Sequence, residues 1–224
     1  MMLLVAATPW ESKPLARTLG LRRREGGLLR GVHAGRDLAL LECGVGPERA
    51  ARSLRSLSGT RPESVLCVGF AGALSDALSP GDLFVDEDSP SSWRSAAHRA
   101  ARGLASFHEG ALACSERVLS DPAQKRAVFQ STGALAVDME SRAVRDWARG
   151  QGIPFMAARV VLDAAGERLP DSAPKDDGFW TLLGYGASRL RELPCMLRLA
   201  GRQSRGMKIL GAFLSRWISE VQAS

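Results

Sequence analysis

Ala134-Leu135-Ala136-Val137-Asp138-Met139-Glu140-Ser141-Arg142-Ala143 passes from an apolar run, through two carboxylates, into a helix-forming segment. The run Ala134 to Val137 reads as a short buried strand, and Glu140 to Arg149 carries the spacing of a helix. If strand geometry persists past Val137, the side chains of Asp138 and Glu140 fall on one side. If the helix has already begun, Asp138 caps it and Glu140 sits in its first turn, complementing the dipole. Either way the acids stand just past a strand, where loops leaving a helix-covered sheet carry ligands.

The same order of apolar run, small polar turn and helix repeats in both directions. Met2 to Ala7 is a buried first strand, and Thr8-Pro9 opens a helix with proline in its first turn. Gly27 to His33 and Asp37 to Cys43 pair as a hairpin, Pro47 to Leu57 is a helix, and Ser64 to Gly69 is a central strand. Gly69 to Leu74 reads as a turn, Gly81 to Val85 as a strand and Ser92 to Leu104 as a helix. Ala111 to Cys114 is a short strand, Asp121-Pro122 caps a helix running to Gln130, and Pro154 to Leu162 is a strand followed by a loop over residues 164 to 177. This alternation predicts an α/β fold: a mixed central sheet covered by helices on both faces.

Composition agrees with one folded domain spanning residues 1–224. The chain is 45% hydrophobic and 24% charged, which excludes a collagen, a coiled-coil rod or a disordered chain. The opening Met1 to Ser12 turns polar too early for a signal peptide or a spanning helix, so the expected location is the cytoplasm. Cys43, Cys67, Cys114 and Cys195 form no CxxC pair and have no histidine at ligand spacing; they read as reduced core thiols, and no metal is expected. His33, His98 and His108 fall in turns or helix-like stretches with no Ser-His-Asp context.

Net charge is +6, but it is uneven: residues 184–224 hold seven basic and two acidic residues, while residues 1–183 are nearly neutral. That distribution argues against a nucleic-acid partner. It divides the domain into a catalytic body, 1–183, and a basic amphipathic helical tail, 184–224. Leu190, Leu193, Leu197, Met207, Leu210, Leu214 and Trp217 give the tail a greasy face, with interruptions expected at Pro194 and near Gly201 and Gly206. Such a segment would suit a membrane surface; the alternative is cover for the sheet.

Polar residues after the apolar runs make a short set of candidates: Glu11, Gly44 and Gly46, Gly69 to Gly72, Asp138 and Glu140, and Asp163. Their order resembles the nucleoside phosphorylase and nucleosidase superfamily, in particular its methylthioadenosine/S-adenosylhomocysteine nucleosidase branch. The resemblance rests on Glu11, Gly44-Val45-Gly46, Gly69 to Leu74, Gly81-Asp82-Leu83-Phe84-Val85, Val137-Asp138-Met139-Glu140 and Arg159 to Asp163. Within it, Ala134 to Ala143, Gly152 to Pro170 and Leu193 to Leu199 look like the hopanoid-associated phosphorylase group.

The resemblance implies a three-layer nucleoside phosphorylase-like architecture and an enzyme cleaving the N-glycosidic bond of a purine nucleoside. The hopanoid-like group implies removal of adenine from adenosylhopane, by hydrolysis or phosphorolysis. Glu11 would activate water and Asp163 would protonate purine N7, while Glu140 would hold the ribose hydroxyls and Met139 would pack under the sugar. Gly46, Phe70, Ala71, Gly72, Val118 and Asp138 complete the implied substrate-binding set. Phe70 and Leu162 stand where the nucleosidase pattern has serine, and Val118 where it has a stacking aromatic, which makes the base pocket greasier. No cofactor is implied beyond phosphate as a co-substrate of phosphorolysis, for which Arg30, Arg49 and Arg94 are the available cations. Water is the expected acceptor, since a carboxylate near the attacking position repels phosphate. A homodimer or larger homo-oligomer is implied, with an apolar surplus around Phe70 to Leu78, and a peripheral position on the inner membrane face would follow from a lipid-linked substrate. The alternatives are a methylthioadenosine/S-adenosylhomocysteine or futalosine nucleosidase on a soluble substrate, and a non-catalytic nucleoside- or nucleic-acid-binding module.

Overall fold

The computed structural model describes residues 1–57, 61–170 and 193–222. At its centre are four parallel strands, β4 (Arg36–Glu42), β1 (Met2–Ala6), β5 (Ser64–Ala73) and β10 (Phe155–Asp163), hydrogen-bonded in that order. The sheet is mixed. β3 (Leu28–His33) is antiparallel to β4 on one side, with β2 (Arg23–Glu25) beyond it. On the other side β6 (Leu83–Asp86) runs antiparallel to β10, and β7 (Phe107–Gly110) follows β6 in parallel. Past the middle of β5, β9 (Ala136–Asp138) pairs with it antiparallel and carries β8 (Leu112–Cys114).

Strands buried on both faces explain the unbroken apolar runs. Met2, Leu4 and Ala6 point into one core, and Leu3 and Val5 into the other. The first core is covered by α1 (Pro9–Leu19), α3 (Ser91–Ala101) and α6 (Leu193–Gln222), through Leu15, Leu19, Ala97, Leu210 and Phe213 among others. The second is covered by α2 (Pro47–Arg55) and α5 (Ser141–Gln151), through Ala50, Leu54, Val144 and Ala148. This is the three-layer α/β arrangement that the alternation predicts. Thr8 and Asp121 are the N-caps of α1 and of α4 (Pro122–Thr132), each followed by proline.

Several expectations are corrected. Residues 69–73 continue β5 instead of turning, because Gly69 solves a packing conflict: a Cβ there would lie 2.8 Å from Glu11 Cδ, and its φ of +148° suits glycine. His33 and His108 lie in strands, so only His98 is helical.

The expected breaks near Gly201 and Gly206 are absent, and α6 runs through both. A Cβ at Gly206 would lie 3.2 Å from Phe70 and Val160, so this glycine lets the helix approach the sheet closely. The tail's greasy face belongs to the core: Met207, Leu210, Leu214 and Trp217 are at most 2% exposed, and Trp217 Nε1 donates to the Trp93 carbonyl at 3.0 Å. Those four cannot face lipid. Leu197 is 69% exposed, and Leu190 lies outside the described residues. Leu74 and Leu78 are likewise buried within the chain, which removes the apolar surplus as a sign of an interface. Among the described residues no helix is long and apolar enough to cross a membrane.

Candidate functional site

Where the parallel strands end, a cavity of about 210 Å³ opens. Glu11, Phe70, Ala71, Gly72, Val118, Asp138, Met139, Glu140 and Asp163 all line it, bringing together residues from five separated stretches of chain. Gly46 meets the site indirectly, its N–H donating to Glu140 Oε1 at 2.8 Å. The N-terminus of α2 thus holds a carboxylate of its own chain.

Glu11 is the third residue of α1, and capping geometry fixes it. Its Oε2 accepts from the N–H groups of Ala7 and Thr8 at 2.9 and 3.0 Å and from Thr8 Oγ1 at 3.2 Å. Its Oε1 accepts from Phe70 N at 3.0 Å, so one carboxylate ties the end of β1 to the second half of β5. Burial pushes the Glu11 carboxyl upward, and nearby Arg159 and these N–H donors offset only part of that rise.

Glu140 precedes α5 with a backbone φ of −123° and ψ of −27°, so neither simple reading of the sequence holds for it. Strand geometry has ended after Asp138, and Glu140 takes the N-cap position itself. Burial raises its carboxyl to about 7, with Asp138 and Glu11 pushing the same way and Arg159 opposing. Asp138 spends its oxygens inside the protein: it accepts from Ser141 Oγ at 2.7 Å and Ser141 N at 3.2 Å, and it pairs with Arg159.

Arg159, in the middle of β10, is 1% exposed, and the sequence reading singled it out only as part of a motif. Its guanidinium pairs with Asp138, donates to Cys67 Sγ at 2.9 Å and lies near Glu11 and Glu140. Three buried carboxylates therefore share one buried cation.

Asp163 ends β10 just after a register shift between Val161 and Asp163, which sets it opposite Gly72. A Cβ on Gly72 would come within 3.2 Å of the Asp163 carboxylate, so glycine leaves that acid its place. Asp163 Oδ2 is held by Lys125 Nζ at 2.5 Å, and Lys125, from the first turn of α4, is 1% exposed. Burial raises the Asp163 carboxyl and Lys125 pulls it back. The sequence reading did not single out Lys125. The rest of the wall is mainly apolar, with Val45, Leu119, Val137, Leu162 and Leu169 beside Phe70 and Met139, and Thr8 and Arg117 as its polar members.

Of the three arginines considered for phosphate, Arg30 contacts Met1 Sδ and Glu25, while Arg94 binds Glu109 and the Ser89 carbonyl. Neither lines the cavity, nor does Arg49; the cations that do, among the described residues, are Arg117 and Lys125. Among those residues no group of three or more His, Cys, Asp or Glu is placed to hold a metal ion. Cys43 and Cys67 are buried beside these carboxylates, and burial pushes both thiols up, away from reactivity.

Comparison with known proteins adds three findings. A family model described as "Phosphorylase superfamily" matches residues 2–89 and 85–180. The 5'-methylthioadenosine/S-adenosylhomocysteine nucleosidase of Marinomonas sp. (strain MWYL1) is 26% identical over 172 residues, covering 63% of this chain and 74% of that protein. Among solved structures, a 5'-methylthioadenosine/S-adenosylhomocysteine nucleosidase from Colwellia psychrerythraea 34H in complex with adenine superposes with a TM-score of 0.77 at 15% identity, covering 98% of this chain and 94% of that one. Futalosine hydrolase of Helicobacter pylori strain 26695 gives 0.74 at 17% identity, covering 98% and 97%. At these identities the superpositions speak for the fold.

Proposed function

Since the chain belongs to the phosphorylase superfamily, we propose that it is an enzyme that hydrolyses the N-glycosidic bond of a soluble purine nucleoside of the methylthioadenosine, S-adenosylhomocysteine or futalosine kind. One observation carries the reading: Glu11, Glu140 and Asp163, far apart in sequence, line a single cavity with Met139 and Phe70. The relative from Marinomonas and the two solved structures, by their names, support the same substrate class.

Breaking the bond to C1' leaves positive charge on the sugar and negative charge on the base, and each end of the cavity answers one of these. Glu140 has one hydrogen bond from the described protein, Gly46 N, so it has acceptor capacity left for ribose hydroxyls. With Glu11 and Asp138 nearby, it puts surplus negative charge where the oxocarbenium-like sugar forms. Glu11 Oε1 keeps a lone pair beyond its bond from Phe70 N and takes the proton of the attacking water. Asp163 delivers a proton to purine N7, so the base departs neutral. Met139 and Phe70 supply apolar contact to sugar and base.

Water is the favoured acceptor because Arg30 and Arg94 are committed elsewhere and carboxylates crowd the cleft. Assembly as a homo-oligomer is part of the proposal on the family resemblance alone; sedimentation at monomer mass would remove it.

The apolar wall supports a second reading, in which the nucleoside carries a lipid tail, as adenosylhopane does. Contact with a bilayer would then fall to exposed Leu197 and the exposed Arg198, Arg205 and Lys208 of α6, because the deeper greasy face is core. One experiment separates these readings: incubation with methylthioadenosine, S-adenosylhomocysteine, futalosine, adenosine and a lipid-tailed adenosine, with and without phosphate, measuring the free purine base. Release from methylthioadenosine without phosphate is the expected result. Release only from the tailed substrate selects the second reading, phosphate-dependent formation of a pentose 1-phosphate overturns hydrolysis, and no release from any substrate overturns the reading itself.

A further inference from the structure

Lys125 is an unusual placement for a cation. It is buried, and it sits in the first turn of α4, where the helix dipole disfavours positive charge. Its ammonium spends all three donors, on Asp163 Oδ2 at 2.5 Å, the Ala164 carbonyl at 2.7 Å and the Glu167 carbonyl at 3.0 Å. Asp163 Oδ1 accepts nothing from the described residues, and both Lys125 and Asp163 line the cavity. A buried pair of this sort is a poor stabilising device, since apolar residues of similar volume often serve better. The placement makes sense if the proton between the two groups is used.

We propose that Lys125 and Asp163 act as one proton-donating unit, with Lys125 as the positioning residue that orients the Asp163 carboxyl and replaces its proton. This inference rests on the purine-nucleoside reading above. In the resting pair one proton is shared, as ammonium with carboxylate or as amine with carboxylic acid, and the second form loses little in a buried site because neither partner is charged. In the chemical step the acid form gives its proton to purine N7 as the bond from N9 to C1' breaks, the electron pair staying with the base. Water adds to C1' and its proton goes to Glu11. Asp163 is then a carboxylate beside a neutral amine, and Lys125 takes up the proton that Glu11 releases through solvent. The balance is nucleoside plus water giving free base plus pentose.

Such a unit holds its proton over a wider pH range than a lone carboxyl, because the remaining proton is stabilised by both groups. The test is the pH profile of adenine release from methylthioadenosine for the full-length chain, wild type against Lys125→Met and Lys125→Arg. Lys125→Met leaves Asp163 to hold the proton alone, so activity falls roughly 100-fold near pH 8.5 but less than about tenfold near pH 5.5. Lys125→Arg keeps the charge and the hold on the carboxylate but cannot give up a proton, so it too fails at alkaline pH. An arginine variant with the wild-type profile would make Lys125 a structural counter-charge and overturn the proposal, as would equal loss at every pH in the methionine variant.

Should Lys125→Met not fold, calorimetry on the wild type provides a second measurement. Adenine should bind more tightly than 7-deazaadenine, which has no N7 to accept the proton, and that preference should persist to about pH 8.5 and disappear there in Lys125→Arg. Equal affinity for the two bases in the wild type would overturn the proposal even if the enzyme is active. A wild type that neither cleaves a purine nucleoside nor binds adenine would overturn the purine reading first, and this inference with it.

Discussion

The two ends of the cavity solve opposite electrostatic problems. At one, Glu11, Asp138 and Glu140 surround a single buried guanidinium, Arg159, so acids outnumber cations. At the other, Asp163 pairs directly with Lys125, and the neighbouring charges Glu167 and Arg202 are paired with each other. An anionic surplus is costly in the free protein and repaid when a cationic sugar appears; a balanced pair can part with a proton without leaving two bare charges. If the division is right, substitutions at the two ends should be distinguishable. Asp163→Ala removes the acid that meets the leaving base, and kcat should fall by about 10²–10⁴ with KM little changed. Glu140→Gln keeps shape and removes charge, with a fall of about 10²–10³ and a rise in KM as the ribose hydroxyls lose their acceptor. Steady-state kinetics on methylthioadenosine check both; variants with identical kinetics would erase the distinction.

Stability should separate the ends next. Arg159→Met strands three buried carboxylates without their cation, whereas Lys125→Met strands one. Breaking a buried pair from one side costs about 3–5 kcal/mol, and Arg159→Met should sit at or above the top of that range. Urea unfolding read by far-ultraviolet circular dichroism measures both. A smaller loss at Arg159 than at Lys125 would mean that the carboxylates there are already largely protonated in the folded chain.

Both cations were harder to see in the sequence than the acids they hold. Glu11, Glu140 and Asp163 were legible because polar residues directly after apolar runs fall at strand ends. Arg159 leaves a faint signal, a lone charge inside Phe155 to Leu162, a stretch otherwise apolar and buried up to Val161. Lys125 left none: in Pro122 to Thr132 it has the look of any solvated helix lysine, and only the fold of residues 163–167 around it makes it a buried partner. The alternation of elements predicted the three layers, but not the extension of β5 through Gly69, which depends on Glu11 occupying the space of a side chain. For the same reason Gly206 looked like a helix break and is a contact point. A glycine's purpose lies in its neighbour, and the neighbour is remote in sequence.

The pH dependence of stability offers a gentler comparison. Burial raises Glu140 from 4.5 to about 7, so the folded chain binds this proton more tightly than the unfolded one. The contribution is complete below the unfolded value and is lost as pH rises through the folded one. Between pH 5 and 7.5 the unfolding free energy should therefore fall, by up to about 3 kcal/mol from Glu140. Glu140→Gln should flatten most of that slope and leave a remainder from Glu11, which shifts in the same direction. Asp163→Asn should flatten it less, because Lys125 offsets the rise at that end. Chemical denaturation at the two pH values tests the order, and a larger effect from Asp163→Asn would place the uncompensated charge at the wrong end.

The smallest expected effect asks how far the base end extends. The carbonyls of Ala164 and Glu167 that hold Lys125 belong to a short loop, and the Glu167 side chain closes it by accepting from Ala164 N at 3.3 Å. Arg202 of α6 grips the same carboxylate at 2.5 Å, a part-buried pair with side chains 29% and 15% accessible. Through it the C-terminal helix reaches the leaving-group acid, whereas Glu11 and Glu140 are fixed by backbone at strand and helix ends. Arg202→Ala should cost less than about 1 kcal/mol of stability, as solvent screens such pairs. Activity should change by less than about fivefold, and mainly at alkaline pH, where the Lys125 pair must keep its proton. No change at any pH would show that the bond to Ala164 N suffices to shape the loop. A loss above tenfold would make α6 part of the active site's own support and bring its residues from 198 to 205 into the search for what sets the substrate.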